Sequence, residues 1–332
     1  MHATAGATQR YIGEHAAYRD CGFYRPVRGL EVSSLGIGTY LGNADEATDR
    51  AYTEALIAAG RGGINFFDCA INYRHQRSER SMGEALKSLD REQIVVCTKA
   101  GFLTPGAVPD SLRDGDVVGK MHSMAPDFLE DQIARSRANL GVDTIDVFYL
   151  HNPETQLRFR TREQFDAGIR RAFERLEALV ERGWICWYGA ATWSGLREKN
   201  GLNLRRLAAI AGETGGNGHH FRFIQLPFNL GMVEAFAGKP ESVLETAADL
   251  DITAVASATL LQTRVLTDMP EAVRQLMPGL GSDAQRAIQF TRSTPGIAVA
   301  LVGMSRREHV QDNLGVARVC PATRDEYLRL YQ

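Results

Sequence analysis

TIDVFYLH (144–151) is an apolar run, interrupted only by Asp146, that ends on a histidine. A strand with one solvated face alternates apolar and polar residues, whereas a continuous apolar run belongs to a strand covered on both faces, as in a parallel sheet. Working outward, the same kind of run recurs as SSLGIGTY (33–40), GINFFDCA (63–70), QIVVCTKA (93–100), WICWYGAA (184–191), FRFIQLPF (221–228), ITAVASA (252–258) and GIAVALVG (296–303). Helix-period segments lie between most of them. One carries Ala47, Ala51, Ala55, Leu56 and Ala59, with Gly60 as its expected stop. SERSMGEALKSL (78–89) reads as a short helix. Pro126 and Asp127 open another, closed by Gly141, and Phe165, Ile169, Phe173, Leu176 and Val180 mark a third, ending at Gly183. Eight strand–helix units in one chain predict a single closed (β/α)8 TIM barrel rather than an open sheet with a second domain.

Length alone leaves one domain or two, since 332 residues suit either a barrel or a pair of units of about 150. No composition shift or linker divides the chain, so 21–332 is expected to be one barrel and 1–20 a flexible N-terminal segment. Two irregular stretches stand out, 102–126 and ETGGNGHH (213–220). The first is a long loop after the third strand and reads as an active-site loop.

Lys+Arg 38 against Asp+Glu 40 gives a net charge of −2. With no basic block, nucleic acid and anionic membrane are poor partners. Hydrophobic content of 44% and charged content of 23% are those of a folded globular chain. No apolar run approaches the roughly 18 residues of a spanning helix, and no secretory signal is visible. Cys21, Cys69, Cys97, Cys186 and Cys320 are odd in number and never in a CxxC arrangement. They read as reduced thiols in a cytoplasmic protein. GIGTYLG (36–42) imitates a dinucleotide-binding fingerprint but fails on spacing, because the third glycine falls where Leu41 stands.

In a parallel barrel the C-terminal strand ends converge on one rim. The polar residues there are Asp68, Lys99 and His151, with Tyr73 in the loop after Asp68. Singly, each has an ordinary structural explanation: a helix cap, a solvated lysine, a packing tyrosine, a satisfied core histidine. Together at successive strand ends they point to chemistry, since burying a Lys or a His behind apolar residues without a task costs several kcal/mol. Tyrosine, with a reference pKa of about 10, holds a proton to donate at neutral pH. Lys99 is expected to lower that pKa, Asp68 to keep the ammonium charged, and neutral His151 to orient a carbonyl oxygen. No metal-ligand spacing, nucleophile elbow or phosphate loop competes with this reading, and neither His122 nor the pair His219–His220 sits in a metal-binding pattern.

At this point the chain resembles the aldo-keto reductases. The resemblance runs from Tyr24 to Asn313–Leu314 and is carried by LGIGTY (35–40), NFFDCAINY (65–73) with SERSMGEAL after it, VVCTKAG (95–101), DVFYLHNP (146–153), IQLPFN (224–229) and VGMSRREHVQDNL (302–314). It implies a barrel with a short N-terminal β-hairpin, a nicotinamide cofactor bound in extended form, and a tetrad falling on Asp68, Tyr73, Lys99 and His151. It further implies that Gly38 and Thr39 line the nicotinamide pocket, that Gln225 contacts the nicotinamide ring, that Ser257 and Leu260 border the pyrophosphate, and that Asp312 and Asn313 face the adenosine.

The sequence departs from the family pattern in three places. Ala191 and Thr192 stand where the family usually has Ser-Asn holding the carboxamide, which leaves Thr192 as the one polar contact. Gly303 replaces a frequent lysine and His309 a frequent arginine. Ser305, Arg306 and Arg307 are the candidates to receive a 2′-phosphate, a guanidinium gripping it bidentately; the alternative for the arginines is a solvated helix start. NADP (NADPH) is the expected cofactor, with NAD the alternative. Tyr40, Phe102, His122, Trp193 and Asn229 are expected at the mouth as substrate contacts, Trp193 being alternatively a lid over the cofactor.

The leading expectation is therefore an NAD(P)H-dependent reductase acting on an aldehyde, ketone or sugar-like carbonyl with Tyr73 as general acid. The alternatives are internal redox, as in an epimerisation or elimination, and a non-catalytic cofactor-sensing subunit. Substrate identity and oligomeric state are not encoded in any motif.

Overall fold

The structure, a computed structural model, describes residues 1–238 and 240–331. Eight parallel strands close into one barrel: β1 (Leu35–Gly38), β2 (Phe66–Asp68), β3 (Val95–Ala100), β4 (Ile145–His151), β5 (Ile185–Ala191), β6 (Phe221–Pro227), β7 (Thr253–Ser257) and β8 (Ile297–Gly303). Closure is made by β8 on β1, in a register that runs from Ala300 opposite Leu35 to Gly303 opposite Gly38. Each strand lies within one of the eight apolar runs. Among the described residues, no helix is long and apolar enough to cross a membrane.

Strand pleating explains how the barrel presents its polar residues. Successive side chains point to opposite faces, so positions two apart share a face. Phe66, Val95, Cys97, Val147, Tyr149, Phe223, Val255 and Val299 pack together in one buried cluster that fills the barrel. Asp68, Lys99, His151 and Gln225 continue these inward columns by one more step of two. The alternate residues Phe67, Val96, Phe148 and Leu150 join the larger cluster beneath the helices.

The helices follow the sequence signals closely. Asp45 caps Glu46–Gly62 by accepting from the Thr48 amide. That helix passes the expected stop at Gly60 and ends where Gly63 takes φ +109°, a left-handed conformation that glycine adopts at little cost. Thr161 and Gln164 form a capping box at the start of Arg162–Glu181.

Residues 1–20, expected to be a flexible segment, instead contain a helix, Ala5–Glu14, packed across the barrel floor. The Ala3 amide donates to Asp146 at 2.7 Å and the Tyr11 hydroxyl to the Gly60 carbonyl at 2.6 Å. An antiparallel hairpin, Tyr24–Val27 with Leu30–Ser33, follows as expected, and its Val27, Leu30 and Val32 plug the interior from below. The 102–126 loop is ordered by its own short ladder, Val117–Val118 against His122–Ser123, and by a bridge between Phe102 and His122.

Candidate active site

Four side chains meet at the upper rim. Lys99 is fully buried; its ammonium donates to Asp68 Oδ1 at 2.5 Å and to the Cys69 carbonyl at 2.7 Å. The second Asp68 oxygen accepts from Gln225 Nε2 at 2.8 Å. Lys99 Nζ also lies 4.9 Å from the Tyr73 ring centroid. The Tyr73 ring is edge-on to His151 at 5.7 Å and to Tyr40 at 4.9 Å.

Tyr73 owes its place to a turn that the sequence does not make easy. Arg74, His75 and Gln76 follow it with φ of 49°, 54° and 69°, and a left-handed conformation costs a non-glycine residue roughly 1–2 kcal/mol. The strain is offset by the near-buried Arg74, which donates to Asp49 at 2.6 Å and stacks its guanidinium 4.8 Å from the Tyr52 ring.

Electrostatics set the protonation states. Burial alone would lower the Lys99 pKa, but the adjacent Asp68 carboxylate outweighs it and holds the ammonium charged. Burial raises the Tyr73 phenol above its ordinary value. Lys99 does pull it down, as the sequence suggested, but burial wins, so the phenol keeps its proton at neutral pH. Burial, reinforced by the charge on Lys99, holds His151 well below the usual histidine range, so its ring is neutral. The arrangement gathers a protonated phenol, a neutral imidazole and a fixed cation at one rim of the barrel. Such a set can hold an oxygen and protonate it.

The residues expected around a cofactor fall on the ends of the remaining strands. Gly38 is paired with Asp68 and Gly303 at the closure of the barrel. Thr39 is buried, and its hydroxyl donates to the Asp68 carbonyl at 3.0 Å. Thr192 is already engaged: its hydroxyl donates to Glu154 Oε1 at 2.7 Å and accepts from the Gly195 amide at 2.7 Å. Ser257 ends β7, and Leu260 lies in the loop beyond, where Ala258, Leu261, Gln262 and Thr263 all have positive φ. In that loop the Thr259 hydroxyl is buried without a partner. Ser305, Arg306 and Arg307 lead into the helix Arg307–Asn313, with both guanidinium-bearing residues exposed. Asp312 accepts from Gln285 Nε2, and Asn313 is buried at that helix's end.

Of the expected substrate contacts, Tyr40 and Trp193 are open at 59% and 48% exposure, and Phe102 lies 5.2 Å edge-on to His151. His122 and Asn229 are corrections. Both are fully buried with their polar atoms committed, His122 to the His151 carbonyl and Gln156, Asn229 to the Ala258 carbonyl and the Gly231 amide. Neither offers a polar atom to a substrate.

Sequence reasoning missed Glu154. One of its oxygens accepts from the Thr192 hydroxyl and from the amides of Trp193, Ser194 and Gly195 at 2.9, 3.1 and 3.3 Å, while the other is buried with no partner. Its signal was its position three residues past His151. Among the described residues, one cluster of potential metal ligands exists, His2, Asp146 and Cys186. It lies at the barrel floor, and Asp146 there is already taken by Ala3, Arg91 and Val96.

Comparison with known proteins follows the same lines. A model of the Aldo/keto reductase family matches residues 34–332. The chain is 32% identical over 129 residues to the NADH-specific methylglyoxal reductase of Escherichia coli, covering 37% of this chain and 39% of that one. It is also 32% identical over 172 residues to a D-threo-aldose 1-dehydrogenase of Pseudomonas, covering 47% and 48%. The matched segments thus span less than half of either relative. An aldo/keto reductase from Klebsiella pneumoniae, crystallised with NADP and acetate, superposes with a TM-score of 0.67 at 19% identity, over 91% of this chain and 93% of that one.

Proposed function

The chain belongs to the aldo/keto reductase family, and from that premise we propose that it is an NAD(P)H-dependent reductase of an aldehyde, ketone or sugar-like carbonyl, with Tyr73 as the proton donor. The observation that carries this reading is the Tyr73–Lys99–Asp68–His151 cluster at the barrel rim. When bound, a reduced nicotinamide dinucleotide supplies the hydride. The chain's own part is to hold the carbonyl oxygen between the Tyr73 hydroxyl and the neutral His151 ring, and to give it a proton as negative charge develops there. Lys99 stabilises the tyrosinate left behind, and Asp68 with Gln225 keeps Lys99 charged and in place.

The remaining strand ends suit an extended dinucleotide. A Cβ at Gly303 would meet nothing within 4 Å, so the rim there is open. The unpartnered Thr259 hydroxyl and the second Glu154 oxygen are buried polar atoms whose desolvation a ligand would compensate. Thr192, Gln225, Ser257 and Leu260 line this path, and Arg306 with Arg307 supplies positive charge beyond it. We assign NADPH as the preferred form on that charge, a reading supported by the NADP-bound Klebsiella structure.

The test is reduction of methylglyoxal and a panel of aldoses by the purified protein with NADPH, followed by absorbance at 340 nm. Tyr73→Phe should lower kcat by about 10²–10⁴, the usual worth of a general acid. Turnover at the wild-type rate in that variant would remove Tyr73 from the role.

A further inference from the structure

The reaction as described makes no use of His122, a buried histidine within reach of the reactive set. It stands in the 102–126 loop, whose two arms are joined where it leaves the barrel. The Ser123 amide donates to the Gly101 carbonyl at 2.8 Å, and the Leu103 amide to the Met121 carbonyl at 2.8 Å. Between these bonds His122 turns its ring inward.

The β3–β4 ladder ends with Ala100 opposite Leu150. The next carbonyl on β4 is that of His151, and it takes its hydrogen bond from His122 Nε2 at 2.8 Å. A carbonyl only accepts, so Nε2 carries the hydrogen. The other ring nitrogen, Nδ1, lies 2.9 Å from Gln156 Nε2, an amide donor, and so presents its lone pair. Both partners select one neutral tautomer. Gln156 belongs to the turn Pro153–Arg158 that follows β4, so one imidazole ties together the loop after β3, the last residue of β4 and the turn beyond it.

Two neighbours make this contact specific. A Cβ at Gly101 would lie 2.6 Å from His122 Nε2 and 2.6 Å from the His151 carbonyl, so only glycine admits the ring. Phe102 stands edge-on to both imidazoles, with centroids 5.2 Å from each.

We propose that His122 is a positioning residue for His151: its hydrogen bond fixes the backbone from which the His151 ring is aimed at Tyr73, and through it the 102–126 loop governs the rate of the chemical step. The proposal rests on the reading of Tyr73 and His151 as the groups that hold the carbonyl. His122 touches neither substrate nor cofactor, so its loss lowers kcat while the affinity for NADPH is kept. Misplacing an orienting group by about an ångström costs up to a hundredfold in rate.

The experiment compares His122→Leu, His122→Gln and Gly101→Ala with wild type and Tyr73→Phe, using NADPH and methylglyoxal. His122→Leu should lower kcat about tenfold or more, with the NADPH Kd from fluorescence titration within twofold of wild type. His122→Gln, which retains a donor near the Nε2 position, should recover most of that loss. Gly101→Ala, whose Cβ would meet both the His122 ring and the His151 carbonyl at 2.6 Å, breaks the same contact from both sides, should resemble His122→Leu and covers the case in which the leucine variant does not fold. Independently of turnover, the ¹⁵N-labelled wild-type protein should show a slowly exchanging imidazole N–H that is absent in His122→Gln. Wild-type kcat in His122→Leu and Gly101→Ala, equal loss in the leucine and glutamine variants, or no protected imidazole N–H would overturn the proposal. If instead Tyr73→Phe is fully active, it is the underlying assignment of the tetrad that fails.

Discussion

Lys99 places its ammonium 2.5 Å from Asp68 Oδ1 with the two side chains 0% and 5% exposed. Neither charge has water to fall back on, so each is tolerated because the other is present. Breaking such a pair typically costs about 3–5 kcal/mol, whereas replacing both partners with apolar or neutral groups is often nearly neutral. Lys99→Met and Asp68→Asn should each lower the thermal midpoint clearly. The double variant should recover much of that stability and none of the activity. Thermal unfolding followed by circular dichroism, beside single-turnover reduction, separates the two effects. Activity in the double variant would show that the ion pair serves the fold alone.

That pair is also where the sequence was most legible. VVCTKA and INFFD put two charged residues at the end of apolar runs, and the pleat then fixes both into the barrel's inward columns. What the sequence could not disclose were partners supplied by the backbone. Glu154 binds three amides and His122 a carbonyl, and any residue type provides those. The N-terminal helix was missed for a related reason. Its buried face is Ala7, Thr8, Tyr11 and Ile12, with only two large apolar side chains, too short a stripe to stand out before the floor it covers is known. The helix end at Gly63 rather than Gly60 follows from which glycine the fold places in left-handed conformation.

Acid should destabilise the fold through its buried histidines. Burial pushes His122 down to about 4 and holds His151 well below 6.5, while an unfolded histidine titrates near 6.5. Below that pH the unfolded chain takes up protons that the folded chain refuses, so stability falls as pH drops. The loss is about 1.4 kcal/mol per pH unit for each such histidine. For His122 it runs from about 6.5 to about 4 and then levels off as the folded state titrates. Midpoints of urea unfolding between pH 7.5 and 4 check this. His122→Gln should flatten the slope, and an unchanged slope would mean that His122 already titrates normally in the folded protein.

Glu154 should matter to cofactor binding more than to chemistry. Its Oε1 gathers Thr192, Trp193, Ser194 and Gly195, which orders the loop after β5 where a carboxamide is expected. Hydrogen bonds to a charged group contribute about 1.5–3 kcal/mol. Glu154→Ala should therefore weaken NADPH binding by about tenfold or more, and Glu154→Gln, which keeps an acceptor, by less. Trp193 adjoins these bonds and is half exposed, so quenching of tryptophan fluorescence on titration reports the affinity directly. Equal NADPH affinity in wild type and Glu154→Ala would detach this loop from the cofactor.

The choice between NADPH and NADH turns on the segment after β8. Arg306 and Arg307 are both exposed, and among the described residues neither forms an ion pair. An unpaired guanidinium costs little to present to a phosphate and grips it bidentately. The chain's net charge of −2 offers no general attraction for an anion, so any preference for the 2′-phosphate must be local and must weaken with salt, since exposed charges are screened over about 8–10 Å at ordinary ionic strength. Replacing both residues with alanine should raise the KM for NADPH about tenfold and leave that for NADH nearly unchanged. In the wild type, the advantage of NADPH should shrink as salt rises from 0.05 to 0.5 M. A variant that binds both cofactors as before would mean that these arginines are only the solvated start of a helix, and the 2′-phosphate would then have no charged partner on this segment.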